Sequence, residues 1–195
     1  PARFDPKKCE AINAEQVRAL GEEDFRDRLV PYLADIYPDP TDETAQAPLV
    51  SAASFDGLSA REQEILTAAA PLIQTRIQLL RECRDMLGFL FVDDADLVVD
   101  DAAVGGLRDS APAVLDAAIG ALEGPGGAEW TTSRLEESLR AAIVDGLGIK
   151  PRLAFGPLRV AVTGRRVSPP LFESMEILGA ASTLARLRSL RARLG

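Results

Sequence analysis

Helix start signals recur along this chain, whereas alternating strand patterns and Asn-Gly hairpin turns do not. A capping box needs a small polar residue followed three positions later by Glu or Gln, and Asn13, Ser59 and Ser133 each begin one. The segment 158–162 alternates, but it is too short and too isolated to find a strand partner. The sequence therefore predicts an all-α protein.

Prolines and glycines mark where the predicted helices begin and end. Pro71 and Pro112 suit the first turn of a helix, and Pro157 with Gly164 encloses a two-turn helix. The stretch 37–57, rich in Pro, Asp, Thr, Ala and Ser, is predicted to be a loop. The predicted helices lie at 13–21, 22–36, from 59 onward, 71–91, 110–124, 132–146 and 158–163. Ser168 is predicted to cap a further helix, and Ser182 is predicted to cap the final helix at 183–194.

The length and composition allow one large core or two small ones, because the chain has 195 residues and 47% hydrophobic content. No apolar run approaches the roughly 20 residues that cross a bilayer, and the N-terminus lacks a signal pattern. We therefore expect no membrane partner and a cytoplasmic location. Because Pro1 stands where an initiator Met would, we also expect a segment of a longer protein.

Residues for the common catalytic and metal sites are scarce. With no histidine and only Cys9 and Cys83, the chain cannot assemble a usual four-ligand zinc site or a Ser-His or Cys-His pair. The acidic cluster within 93–101 lacks the glycine and glutamate of an EF-hand loop, so we expect a solvated loop or helix start there. The sequence predicts no catalytic residue, no metal site and no cofactor in this chain.

Charge is divided unevenly along the chain, whose formal net charge is -8. Residues 151–195 hold eight arginines against two glutamates, whereas residues 1–150 hold 14 basic and 28 acidic residues. A polyanion would therefore meet the C-terminal part, and the acidic remainder would suppress indiscriminate binding. The acidic balance and the scarce aromatics also leave open a second function, an acidic all-helical protein–protein interaction module with no RNA role.

The stretch 156–179, GPLRVAVTGRRVSPPLFESMEILG, combines features that a plain core segment has no reason to combine. Arg159 stands among bulky apolar residues, and Arg165 and Arg166 follow the predicted helix end. A Ser-Pro-Pro sequence at 168–170 then precedes an apolar helix. Such a short basic loop, held by prolines, offers backbone groups, a hydroxyl and guanidinium planes to unstacked RNA bases.

Arg76 is the residue that fits its predicted helix least well. On a helical wheel the 71–91 segment places Ile73, Ile77 and Leu87 on one apolar stripe, and Arg76 falls within it. Such an arginine is either a snorkelling or internally paired side chain, or a guanidinium that projects from a rigid helix to hydrogen-bond a base. The residue pattern leaves both readings open.

Three segments resemble bacterial glutamyl-tRNA synthetases. The proline-leucine-arginine, Thr-Gly, Ser-Pro and leucine-phenylalanine-glutamate elements of 156–179 resemble the C-terminal signature of that family. The string FDPKKCEAIN at 4–13 resembles the segment that joins its tRNA stem-contacting domain to the anticodon part. The 71–91 segment resembles the helix that reads the third anticodon base.

This resemblance implies a fold, a division of the chain and a set of site residues. The fold is an all-helical cage of two subdomains, 21–98 and 99–195, preceded at 1–20 by the tail of the stem-contacting domain. The anticodon is recognised by Arg76 at the third base and, around the first two bases, by Arg159, Ser168, Pro169 and Leu171. The candidate contacts to the tRNA backbone are Lys7, Lys8, Arg165 and Arg166.

The resemblance also implies an enzyme of which this chain is one part. The family ligates glutamate to tRNA(Glu) with ATP and Mg on an N-terminal doubly wound domain, whose HIGH-type and KMSKS-type motifs do not occur here. We therefore expect an ATP-dependent ligase as the parent protein and an inactive isolated chain. We also expect a monomer that binds tRNA(Glu) but not DNA, and the sequence leaves tRNA(Gln) open as a second partner.

Overall fold

Helices form all the regular secondary structure in residues 6–37, 47–124 and 127–195, which a computed structural model describes. The all-α prediction is confirmed for these residues. The chain divides into two compact units, the first ending at Phe91 and the second running from Val92 to Gly195. In the described part of the chain, no helix is long and apolar enough to cross a membrane.

The first unit packs its helices around a small apolar core. Its described helices are α1 (Pro6–Ala19), α2 (Glu22–Leu33), α3 (Ala60–Ile73) and α4 (Cys83–Leu87), with 3-10 turns at Phe55–Gly57, Leu80–Glu82 and Gly88–Leu90. Helix α2 packs against both α3 and α4. Phe25, Leu29, Leu66 and Leu87 are buried between them, and this loss of apolar surface from water stabilises the packing.

The second unit contains the remaining helices. They are α5 (Asp101–Gly105), α6 (Ala111–Glu123), α7 (Thr132–Leu139) with a π-helical continuation at Arg140–Asp145, α8 (Pro151–Ala154), α9 (Gly156–Thr163), α10 (Leu171–Leu178) and α11 (Ala180–Arg193). Helices α6 and α9 pack against α11, while α7 packs against α10. Leu115, Leu139 and Leu158 are fully buried in this core, which holds α9 and its following loop in place.

Three local predictions are confirmed. Ser59 and Glu62 form the predicted capping box at the start of α3. Helix α6 has a proline in its first turn and ends before Gly124. Helix α9 ends at Gly164, whose φ of 75° lies in the left-handed region that favours glycine.

The prediction of one long helix over 71–91 is wrong. Pro71 lies inside α3, which ends at Ile73, and a turn separates it from the short helices that follow. Glu82 stabilises this turn by accepting hydrogen bonds from the backbone N–H groups of Gln78 (3.2 Å) and Leu79 (3.1 Å). Ile73 and Ile77 are both buried, so turns packed on one core reproduce the apolar spacing of a helix.

Four predicted helix caps are also wrong. Asn13 lies inside α1, Ser133 lies inside α7, and Ser182 lies inside α11, which begins after Gly179. Ser168 makes no capping hydrogen bond to α10, whose first residue follows Pro170. The Asn13 side-chain amide instead donates to the backbone oxygen of Gln78, and the Ser168 hydroxyl donates to the backbone oxygen of Pro169.

Some predictions fall on residues that the structure does not describe. Residues 38–46 of the predicted loop at 37–57 lie outside the described residues. Lys7, Lys8 and Cys9 belong to α1, but their side chains are outside the described part of the chain as well. Elsewhere, across the residues that are described, no group of three or more His, Cys, Asp or Glu side chains could hold a metal ion.

Candidate nucleic-acid interface

The loop after α9 is held by the Thr163 side chain and by the segment before α5. The hydroxyl of Thr163 donates to the backbone oxygen of Arg159 (2.8 Å) and accepts from the backbone N–H of Arg165 (3.3 Å). The backbone oxygen of Gly164 accepts from the N–H of Asp100 at 2.9 Å. A Cβ at Gly164 would lie 2.3 Å from the backbone oxygen of Val98, so only glycine fits this close approach.

Arg159 links α9 to the Ser-Pro-Pro segment across this loop. Its Nη1 donates to the hydroxyl of Ser168 and to the backbone oxygen of Pro169, the latter at 2.9 Å. The Ser168 hydroxyl in turn donates to the same Pro169 oxygen at 2.9 Å. Arg159 is half-buried and Ser168 is buried, so the guanidinium has a fixed position before any ligand arrives. The structure thus brings together three of the predicted anticodon residues.

The side chains of Leu171 and Pro169 are buried and do not form an exposed surface at this site. Leu171 is the first residue of α10 and is 4% exposed. Pro169 is also buried. In this conformation both side chains therefore support the loop that carries Ser168, and neither presents a large apolar face to solvent.

A pocket of about 530 Å³ opens beside Arg159 in the second unit. It lies between the turn after α5, helix α8 and the first turn of α9. Its lining residues that matter chemically are the cations Arg108, Arg159 and Arg166 and the apolar side chains Leu107, Leu153, Phe155, Pro157 and Val160. No acidic residue is among those that line it. Pockets of roughly 300 to 1,000 Å³ hold small organic ligands, so an anionic group with an apolar part fits this one.

Arg76 is exposed on a turn of the first unit that several contacts stabilise. Its backbone N–H donates to the oxygen of Ile73 at 2.8 Å. The Gln74 amide nitrogen donates to the backbone oxygens of Val17 (3.1 Å) and Leu20 (2.9 Å), which attaches the turn to the end of α1. Arg76 therefore lies outside the apolar stripe, its side chain pairs with no residue in the described part of the chain, and its guanidinium is accessible.

Cys83 and Glu62 are titratable groups of the first unit whose pKa values are shifted and whose roles are structural. Burial raises the pKa of the Cys83 thiol to about 12, so this cysteine is not a reactive thiolate near neutral pH. Partial burial of Glu62 acts to raise its pKa. Hydrogen bonds from Ser51 and Ser59 outweigh that effect, and the pKa is lowered overall.

Two arginines that contribute to the second unit carried no signal in the sequence. Arg108 lines the pocket, although it lies in a short loop that matches no motif. Arg186 is 3% exposed inside a helix whose arginines all look like surface residues. Its neighbours are distant in sequence, so local patterning could not separate it from Arg188 or Arg191.

The fold and the site define an all-α protein with a positively charged pocket of about 530 Å³ beside a fixed basic loop. Comparison with known families identifies it further. A model described as the anticodon binding domain matches residues 20–191. The chain belongs to the anticodon-binding domain family.

The names of similar proteins support this assignment. The chain is 57% identical over 196 aligned residues to the glutamate–tRNA ligase of Kineococcus radiotolerans, matching 100% of this chain and 35% of that protein. It is 55% identical over 194 residues to the glutamate–tRNA ligase of Kocuria rhizophila, with the same coverage. The resemblance predicted from the sequence is confirmed, and the chain spans about a third of the length of these relatives.

Solved structures show the same helical fold. A glutamate–tRNA ligase from Elizabethkingia meningosepticum superposes with a TM-score of 0.69 at 15% identity, covering 100% of this chain and 34% of the other. A glutamate–tRNA synthetase from Elizabethkingia anophelis has a TM-score of 0.65, also at 15% identity, covering 98% and 32%. At this identity the likeness concerns the fold alone.

Proposed function

We propose that this chain is the tRNA-binding, anticodon-recognising part of a glutamate–tRNA ligase that acts in translation in the cytoplasm. The observation that carries the proposal is the Arg159–Ser168–Pro169 cluster beside a basic pocket, within a chain of the anticodon-binding domain family. The ligase names of relatives that match the whole chain support it.

In the second unit, Arg159 and Ser168 contact the edges of the first two anticodon bases. Their hydrogen bonds to each other and to Pro169 can be exchanged for bonds to an unstacked base. Because the groups are already positioned, this exchange costs little conformational entropy. Pro169 and Leu171 form the apolar support of this site. The burial of Leu171 means that its contribution to binding acts mainly through the position of the loop.

In the first unit, Arg76 contacts the third anticodon base. A planar guanidinium on a stabilised turn provides directed donors for a base edge. Lys7, Lys8, Arg165 and Arg166 contact the tRNA backbone, which sets position without reading sequence. The segments 1–20, 21–98 and 99–195 serve as the tail of the stem-contacting domain and the two anticodon subdomains.

The parent protein uses ATP and Mg to join glutamate to tRNA(Glu), and that chemistry belongs to a portion outside this chain. The chain by itself acts as a monomeric binder of tRNA(Glu). Its preference between tRNA(Glu) and tRNA(Gln) depends on contacts to the anticodon, which the two tRNAs do not share at every position.

The test is a comparison of Arg159→Gln and Ser168→Ala with the parent chain for binding tRNA(Glu) and versions with changed anticodons. Each variant removes a base contact, so discrimination between anticodons should fall by about 1 to 3 kcal/mol while the fold is retained. Fluorescence titration gives the affinities, and circular dichroism checks the fold.

Arg134→Gln is the matched control, because Arg134 is an exposed arginine of the same unit that pairs with Glu137. It should leave discrimination unchanged. If the parent chain binds tRNA no better than duplex DNA, the RNA-binding function is wrong and the acidic interaction module takes its place.

A further inference from the structure

Some arginines of the second unit form ion pairs with carboxylates, and others do not. Arg134, Arg140, Arg186, Arg188, Arg191 and Arg193 each form an ion pair with an Asp or Glu. Arg108 and Arg166 form neither an ion pair nor a side-chain hydrogen bond with any described residue, and both line the same pocket. Two cations without partners at one site are a feature that the fold does not require.

Arg166 lies against the turn that carries Arg108. A Cβ placed on Gly106 would be 3.0 Å from Nη1 of Arg166, so this guanidinium rests over the backbone two residues before Arg108. Like charges held near each other repel, and an anion placed between them would remove that cost. The pocket contributes no carboxylate that could do so.

We infer that Arg108 and Arg166 hold one phosphodiester group of a single-stranded RNA segment, the one that flanks the nucleotide contacted by Arg159. This inference rests on the proposed function and deepens it by adding Arg108 and a specific ligand group. Arg159 lines the same pocket and Phe155 and Pro157 form its apolar side, so a base and its neighbouring phosphate can occupy it together. Guanidinium groups suit this role because they bind phosphate oxygens through paired N–H donors.

The experiment measures binding of the full chain to an anticodon stem-loop RNA of tRNA(Glu) at several salt concentrations. Arg108→Gln and Arg166→Gln should each weaken binding roughly three- to tenfold near 0.1 M salt, to the same extent for every anticodon. The double variant should also reduce the slope of log affinity against log salt by about 0.7, the contribution of one phosphate in a single strand, and each single variant should reduce it by less.

Arg18→Gln is the matched control for charge. Arg18 is an exposed arginine of α1 that likewise has no partner among the described residues, and it lies outside the pocket. Its substitution should change affinity no more than about twofold, which is the general effect of losing one positive charge.

Stem-loops with a single uncharged methylphosphonate at each loop position in turn identify the phosphate. At one position the modification should remove the effect of Arg108→Gln and of Arg166→Gln, because the group they bind is already neutral. If both effects persist at every position, or if neither exceeds that of Arg18→Gln, the phosphate site is wrong.

The two levels of the proposal fail in different ways. Loss of the Arg108 and Arg166 effects, with Arg159→Gln still reducing anticodon discrimination, overturns only the phosphate site. A parent chain that does not bind the stem-loop, or discrimination that Arg159→Gln leaves unchanged, overturns the proposed function and the inference with it.

Discussion

Arg186 is a buried cation whose three hydrogen-bond partners come from two other parts of the second unit. Its Nε donates to a carboxylate oxygen of Asp94 (2.6 Å), its Nη1 to the backbone oxygen of Val162 (2.9 Å), and its Nη2 to that of Val92 (3.1 Å). The side chain therefore joins α11 to the end of α9 and to the start of the unit. This contact positions the helix that carries Arg159.

Replacing Arg186 by Met should lower the free energy of unfolding by about 2 to 4 kcal/mol, because it leaves a carboxylate and two carbonyls without their donor. Urea denaturation followed by circular dichroism measures this. Arg188→Met on the same helix is the control. Arg188 pairs with Glu123 at the surface, so its loss should cost less than about 1 kcal/mol. Equal costs for the two variants would show that burial of Arg186 does not matter.

The free backbone N–H groups at helix starts in this protein find hydrogen-bond acceptors in two ways. The acceptor is either close in sequence or on another helix. At α3 the cap is local, because Ser59 and Glu62 are three residues apart, and Ser51 also donates to the same carboxylate. At α7 the cap is remote. The carboxylate of Glu176, in α10, accepts a hydrogen bond from the N–H of Thr132 at 2.6 Å, which also ties α7 to α10.

Glu62 makes the stability of the α3 start depend on pH. Its pKa is lowered in the folded protein from an ordinary 4.5, so the stabilisation is fully present above pH 4.5 and is lost as the pH falls through the folded pKa. Glu62→Gln should therefore cost about 1 kcal/mol at pH 7 and progressively less below pH 4.5. Urea denaturation of both proteins from pH 3 to pH 7 measures the difference.

Glu64→Gln is the control for this measurement. Glu64 lies on the same helix and is exposed, with Arg61 as a distant ionic partner at 4.0 Å. The difference between this variant and the parent should stay small at every pH. If Glu62→Gln costs the same amount at pH 3 and pH 7, the carboxylate charge does not stabilise the cap.

Charge at the scale of the whole molecule favours weak, specific contact with a polyanion. Residues 151–195 contain eight arginines, and the rest of the chain is acidic. Several of these arginines are neutralised by ion pairs. Among the described residues, the arginines available to a ligand include Arg108 and Arg166 at the pocket beside α9 and Arg76 on its turn. Binding energy should therefore be concentrated at these places and not spread over the surface.

We expect this 195-residue chain to bind tRNA(Glu) weakly, with an affinity that falls as salt increases, and to form no glutamyl-tRNA with ATP and glutamate. Filter binding and an aminoacylation assay with labelled glutamate measure the two properties. A tRNA with an altered anticodon is the control for specificity. Detectable glutamylation by the purified chain would contradict the assignment of catalysis to a separate portion.

Several features on which sequence and structure agree depend on residues that are close together in the chain. Helical class, the capping box at Ser59 and the end of α9 at Gly164 follow from side-chain and backbone preferences within a few residues. The Arg159–Ser168–Pro169 cluster is also of this kind, since its members lie within ten residues of one another. The sequence by itself therefore determined the helical class and the central part of the candidate site.

Only the tertiary structure decided the features that depend on distant partners. The break after Ile73, the burial of Leu171 and the buried position of Arg186 follow from packing against other helices. Thr132 meets Glu176 across 44 residues, and Arg186 meets Asp94 across 92. The pattern of apolar and charged residues in the sequence does not show whether a distant residue packs against a given side chain. The pocket that Arg108 lines is therefore visible only in the packed structure.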